Sequence, residues 1–110
     1  HDVLTGLANR KQLDASFEQA LSYAKRHKKQ IAILFMDLDY FKNINDTLGH
    51  DIGDLLLTEI GRRLKISIRS TDIVIRQGGD EFIIALKELL DTSEVIKITK
   101  KILTTIARPI

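Results

Sequence analysis

The stretch Ile73-Val74-Ile75-Arg76-Gln77-Gly78-Gly79-Asp80-Glu81-Phe82-Ile83-Ile84-Ala85-Leu86 decides how the whole chain is read. Two β-rich runs, 73–76 and 82–86, flank a Gly-Gly pair, the pattern of a β-hairpin. The glycines permit a tight turn and let a ligand phosphate approach without meeting a Cβ, while Asp80 and Glu81 put two carboxylates at the tip. A plain hairpin would also accept two glycines followed by acids.

Around this hairpin the periodicity predicts helices. Leu13, Phe17, Ala20, Leu21 and Ala24 recur at spacings of three and four, giving an amphipathic helix over 10–27 that is capped by Asn9 and fades into Lys25, Arg26, Lys28 and Lys29. The continuous apolar run 31–36 reads as a strand buried on both faces, closed by Asp37 and Asp39. The turn formers in 41–51 predict a loop with local helix. Ile52, Leu55, Leu56, Ile60, Leu64 and Ile68 mark a helix over 52–68 whose apolar stripe should pack on the sheet. A last helix over 94–107 is expected to be capped by Ser93 or Thr92. The order helix, strand, helix, hairpin, helix predicts a mixed α/β (α+β) domain with an unfinished sheet.

The chain has 110 residues, enough for one domain with its own core, and its 44% hydrophobic and 29% charged residues are those of a soluble globular protein. It has no Cys, which excludes a disulfide framework or thiolate metal site and argues against redox chemistry. A net charge of +2 is too small to point to nucleic acid or an anionic membrane. The apolar run 31–36 is far short of the roughly 20 residues of a membrane span, and the start resembles no signal peptide, so a cytoplasmic location is expected. The chain opens at His1 without a Met and stops after its only Pro, as a piece of a longer protein would.

Asp37 and Asp39 stand at the C-terminal end of a strand, where sheets tend to place ligand sites, and alternate strand residues share a face. A hard cation such as Mg²⁺ would use them, but capping the next turn is the simpler use of that pair alone. If the hairpin lies beside this strand, Asp80 and Glu81 would join Asp37 in a phosphoryl-transfer site. Asn45 and Asp54 together supply the donors and acceptors that a guanine edge needs, although each alone fits a turn or cap. Lys42 fits a phosphate or plain solvent, and His50 a base, a ligand or a turn. No Walker loop, G-x-S-x-G, H-E-x-x-H or G-x-G-x-x-G is present.

Gly78-Gly79-Asp80-Glu81-Phe82 spells the signature of the GGDEF family, the diguanylate cyclase domains that make cyclic di-GMP from two GTP molecules. Asp2-Val3-Leu4-Thr5-Gly6-Leu7-Ala8-Asn9-Arg10 resembles the family's opening motif. The segment 37–46, followed by Gly49-His50-Asp51-Ile52-Gly53-Asp54, resembles its central one. The resemblance implies a palm-like sheet with flanking helices, as in nucleotide cyclases. It implies Asp37 and Asp80 as Mg²⁺ (or Mn²⁺) ligands, with the Leu38 carbonyl completing the shell and Glu81 close by. Asp80 would help activate the ribose 3′-hydroxyl, and Gly78 and Gly79 would line the substrate. Asn45 and Asp54 would recognise guanine, while Tyr40, Phe41 and Lys42 would form a turn contacting the β and γ phosphates. Arg69-Ser70-Thr71-Asp72 matches the family's R-x-x-D motif, which implies an inhibitory cyclic di-GMP site.

Gln77 stands where the family often has an aromatic or aliphatic residue. The resemblance covers residues 1–110 as a single domain, cut before its S-x-G-x-A strand, its A-D-x-A-L-Y-x-A-K segment and its C-terminal helix. It implies a bacterial cytoplasmic enzyme working as a homodimer, with a fused sensor, membrane-anchored or not, or an EAL phosphodiesterase domain. Two rivals remain: a regulatory domain that binds GTP or cyclic di-GMP and controls an attached EAL domain without synthesis, and an inactive or purely dimerising fragment.

Overall fold

The structure, a computed structural model, describes residues 1–39 and 41–108. Seven elements follow in chain order: α1 (Arg10–His27), β1 (Gln30–Asp37), α2 (Phe41–Leu48), α3 (His50–Ser67), β2 (Ile73–Gly78), β3 (Glu81–Leu89) and α4 (Thr92–Ile106). The strands form one antiparallel sheet in the order β1-β3-β2, so the second arm of the hairpin is the central strand. The mixed helix-and-sheet class is as expected.

Alternation along the strands divides the core in two. Ile75, Ile83 and Ala85 meet Leu13 of α1 on one face. Val74, Phe82, Ile84 and Leu86 meet Leu57, Ile60 and Leu64 of α3 and Ile102 of α4 on the other. Asn9 caps α1 as expected: its side chain accepts from the Gln12 N–H at 2.9 Å and the Gln12 side chain accepts from the Asn9 N–H at 2.8 Å, a reciprocal capping box.

Four expectations are corrected. β1 is not buried on both faces: it is an outer strand that α1 covers at Ile33 but not farther along, where Phe35 is 78% exposed. Residues 41–48 are one continuous helix where a loop with only local helix is expected, held by packing against α3. Of the expected α3 stripe, Ile60 and Leu64 are buried and Leu56 and Ile68 pack on the core, but Ile52 and Leu55 are exposed, and Gly53, Leu57, Gly61, Arg63 and Ser67 complete the buried face. Small residues, not the largest apolar ones, mark the first turns, because α2 packs close there. Finally, α4 is capped by Asp91, whose carboxylate accepts from the Ser93 and Glu94 N–H groups at 3.0 and 3.3 Å. The Ser93 hydroxyl and these N–H groups hold the Asp91 carboxyl below its usual pKa. Asp91→Ala is expected to lower unfolding stability, read as a lower urea midpoint.

Arg63 joins the two helices under the sheet. Its guanidinium donates to Glu59 in α3 at 2.9 Å and to the carbonyls of Thr105 and Ile106 at the end of α4, at 3.4 and 3.2 Å. Hydrogen bonds from Arg62 and Arg63 push the Glu59 carboxyl down to about 2, so this cluster stays ionised until strongly acid pH.

Candidate functional site

The register of the sheet builds the first half of the site. Asp37, the last residue of β1, lies opposite Glu81, the first of β3, and Glu81 lies opposite Gly78 of β2. The neighbouring pair, Met36 and Phe82, turns to the other face, and Phe82 is 1% exposed in the core. Burial of Phe82 therefore fixes where Glu81 stands, and Glu81 fixes what Asp37 faces. Asp80 is next to Glu81 in the turn, half-buried. The conditional expectation that β1 and the hairpin are neighbours holds.

The tip is open from above. A Cβ added at Gly78 or Gly79 would meet nothing within 4 Å, and Gly79 has φ +52, a left-handed conformation that favours glycine. The tip is held from below by Arg76, which sequence reasoning missed. Its Nε donates to the Gly79 carbonyl at 3.0 Å and its Nη1 to Asp2 Oδ1 at 3.2 Å. Asp2 in turn accepts from the Thr5 N–H and hydroxyl at 2.9 and 2.7 Å. Burial pushes the Asp2 carboxyl up, but the Thr5 hydrogen bonds and Arg76 outweigh it and leave the pKa lowered. The signal for Arg76 was its strand parity: it shares the inward parity of Val74, and a guanidinium turned inward needs partners.

Beyond β1, Leu38 packs on the core and its carbonyl accepts from the Phe41 N–H at 3.4 Å. Phe41 and Lys42 are the first residues of α2, not a turn. Phe41 packs against the core, whereas Lys42 is exposed. Tyr40 lies outside the described residues. Asn45, also in α2, lies over Gly53 of α3, the residue before Asp54, so the two helices bring Asn45 and the backbone of Asp54 to one corner. Asp54 is exposed, and His50 is the exposed first residue of α3.

Arg69 and Asp72 form a closed pair before β2. Both oxygens of the Asp72 carboxylate are engaged: Oδ2 accepts from the Arg69 N–H and Nε, both at 3.0 Å, and Oδ1 from Arg69 Nη2 at 2.8 Å and the Lys87 N–H at 3.1 Å. The Asp72 side chain is 0% exposed and the Arg69 side chain 37%. The hydrogen bonds to Asp72 raise the Arg69 guanidinium above its usual pKa.

Size does not locate this chemistry. The groove along α1, between Tyr23, Arg26, Thr71 and Lys87, is about 650 Å³, whereas the cleft at Asp37 and Glu81 is about 260 Å³. Among the described residues no three His, Cys, Asp or Glu side chains are arranged to enclose an ion. The donors at the sheet end are nonetheless all hard oxygens, in a pair across two strands with a third alongside. That set suits a divalent cation bound by one or two carboxylates and shared with phosphates, not an all-protein cage. No helix among the described residues is long and apolar enough to cross a membrane.

Comparison with known proteins agrees with this geometry. The chain is 42% identical over 109 residues to the bifunctional diguanylate cyclase/cyclic di-GMP phosphodiesterase MucR of Pseudomonas aeruginosa, covering 99% of this chain and 16% of MucR. It is 39% identical over 110 residues to the cyclic di-GMP phosphodiesterase NbdA of the same organism, covering 100% of this chain and 14% of NbdA. The solved structure of an N-terminally shortened TpbB of P. aeruginosa, comprising only its GGDEF domain, superposes with a TM-score of 0.95 at 41% identity, over 100% of this chain and 64% of that one. The chain thus spans a small fraction of the curated relatives it matches. The sequence model described as "Diguanylate cyclase, GGDEF domain" matches residues 1–110, and with the sheet register and the TpbB superposition it shows that the chain belongs to the GGDEF family.

Proposed function

We propose that the protein carrying this chain is a diguanylate cyclase, condensing two GTP molecules into cyclic di-GMP and two pyrophosphates. The observation that carries this reading is the register that faces Asp37 with Glu81 and sets Asp80 beside them under an open glycine turn. Asp37 and Asp80 would hold Mg²⁺ or Mn²⁺ with the Leu38 carbonyl, Glu81 close by. The bound cation would supply positive charge to the triphosphate. Asn45 and Asp54 would hold guanine at the α2–α3 corner, and Lys42 would meet the phosphates. Asp80 would orient the 3′-hydroxyl of one GTP. As that oxygen bonds to the α-phosphorus of the GTP on a second subunit, the bond from that phosphorus to the α–β bridging oxygen breaks, pyrophosphate leaves with the electron pair, and the hydroxyl proton passes to solvent. A homodimer is therefore part of the proposal, as is a cytoplasmic setting.

Arg69, whose side chain is partly exposed, is proposed as the accessible part of an inhibitory cyclic di-GMP site; Asp72 acts behind it by fixing the fork. The likeness to NbdA, named as a phosphodiesterase, favours a second reading in which this domain binds nucleotide and regulates an attached EAL domain. Incubating the full-length protein with GTP and Mg²⁺ and separating products by chromatography distinguishes the two. Cyclic di-GMP appearing as GTP is consumed is expected. Unconsumed GTP, with GTP bound, would replace the cyclase by the regulator.

A further inference from the structure

Gly53 of α3 faces α2 at Asn45 and Phe41. A Cβ built on it would lie 1.8 Å from Asn45 Oδ1, 2.9 Å from Asn45 Cγ and 3.4 Å from the Phe41 ring. The first two separations are far inside van der Waals contact, so one group must move. Both belong to the end of a single flexible side chain, so an added methyl displaces the Asn45 amide and leaves the helices together. The backbone does not ask for glycine here: Gly53 is absent from the positive-φ residues and lies within α3, where Ala is the better helix former. Asn45 Oδ1 is, moreover, the one buried side-chain oxygen or nitrogen among the described residues with no hydrogen-bond partner. An amide oxygen shut from water without a donor is unfavourable for folding alone, and such groups mark places held for another purpose.

We propose that Gly53 is a positioning residue for nucleotide-base recognition: the Cβ it lacks is the space that seats the Asn45 amide in its binding orientation. The inference rests on the reading of Asn45 as a guanine contact and adds the residue that sets its orientation. Gly61, eight residues and about two turns farther along α3, provides the control. A Cβ there would meet Thr5 at 3.2 Å and Leu7 at 3.4 Å, packing atoms remote in sequence from Asn45.

The test uses the full-length protein and α,β-methylene-GTP, which cannot release pyrophosphate, so binding is read whether or not the protein turns over. Dissociation constants for it and for α,β-methylene-ATP are measured for wild type, Gly53→Ala, Asn45→Ala, the double variant and Gly61→Ala, with melting temperatures alongside. Gly53→Ala is expected to weaken the guanine analogue about tenfold, the scale of one lost hydrogen bond, and to erode its preference over the adenine analogue, with the melting temperature unchanged or raised. Gly61→Ala should leave the preference untouched. The double variant should bind no worse than Asn45→Ala, because the methyl then has nothing to displace. An unchanged constant in Gly53→Ala, or an effect that adds in full to that of Asn45→Ala, would overturn the positioning role. An unchanged constant in Asn45→Ala would instead remove the guanine contact on which it rests.

Discussion

Asp80→Asn in the full-length protein is expected to cut cyclic di-GMP synthesis on the order of 10³-fold, the scale of removing one aligned charge-stabilising group from a transition state. That fold-change corresponds to about 4 kcal/mol of barrier. The substitution keeps the shape of the side chain and removes its charge. Asp80 makes no hydrogen bond or ion pair among the described residues, and the turn it stands in is held by Arg76 through the Gly79 carbonyl. The fold should therefore be indifferent, with a melting curve that overlays wild type, as for surface substitutions that remove no partner. Synthesis at the wild-type rate would end the assignment of Asp80 to the reaction. A collapsed melting curve would show that the carboxylate is structural.

Asp72→Ala should behave in the opposite way. It removes a fully buried carboxylate that accepts four hydrogen bonds, leaves the Lys87 N–H of β3 without its acceptor, and leaves the Arg69 fork only the Lys87 carbonyl and Glu94. Losing a buried, hydrogen-bonded carboxylate and leaving a donor unpaired typically costs about 1–3 kcal/mol, a sizeable share of a small domain's stability. Chemical denaturation should show a midpoint shift of that size, and Asp72→Asn, which keeps one acceptor oxygen, a smaller one. A midpoint equal to wild type in Asp72→Ala would refute the structural role. Loss of product inhibition in Asp72→Ala would therefore mix destabilisation with loss of binding. Removing the exposed contact of Arg69 with Glu94, at 3.5 Å, by Glu94→Gln perturbs the same fork from outside and leaves Asp72 in place.

Features governed by local periodicity were legible in the sequence: α1 with its Asn9 cap, and the hairpin around Gly78 and Gly79. Features governed by what packs against them were not. α2 was hidden because Asn43, Asn45 and Asp46 are poor helix residues that tolerate the state only because α3 supports them. The buried face of α3 was read right at Ile60 and Leu64 but wrong at Ile52 and Leu55, because close approaches are made by Gly53 and Gly61, which no hydrophobic pattern highlights. For the site, the carboxylates could be named from motifs, but the facing of Asp37 and Glu81 is a property of strand pairing across more than forty residues of chain. Asp72 could be placed in a motif; only the structure shows that its oxygens are already occupied.

The alternation that buries Phe82 and presents Glu81 also limits how this gene can change length. Inserting one codon between Phe82 and Ile83 would exchange the two faces at the start of β3, turning Phe82 out of the α3 and α4 core and Glu81 toward it. Gaining two would restore the parity but carry Glu81 about 7 Å past Asp37. Related sequences should therefore vary in letters along this hairpin while keeping its count of residues, with insertions and deletions confined to the exposed loops on either side.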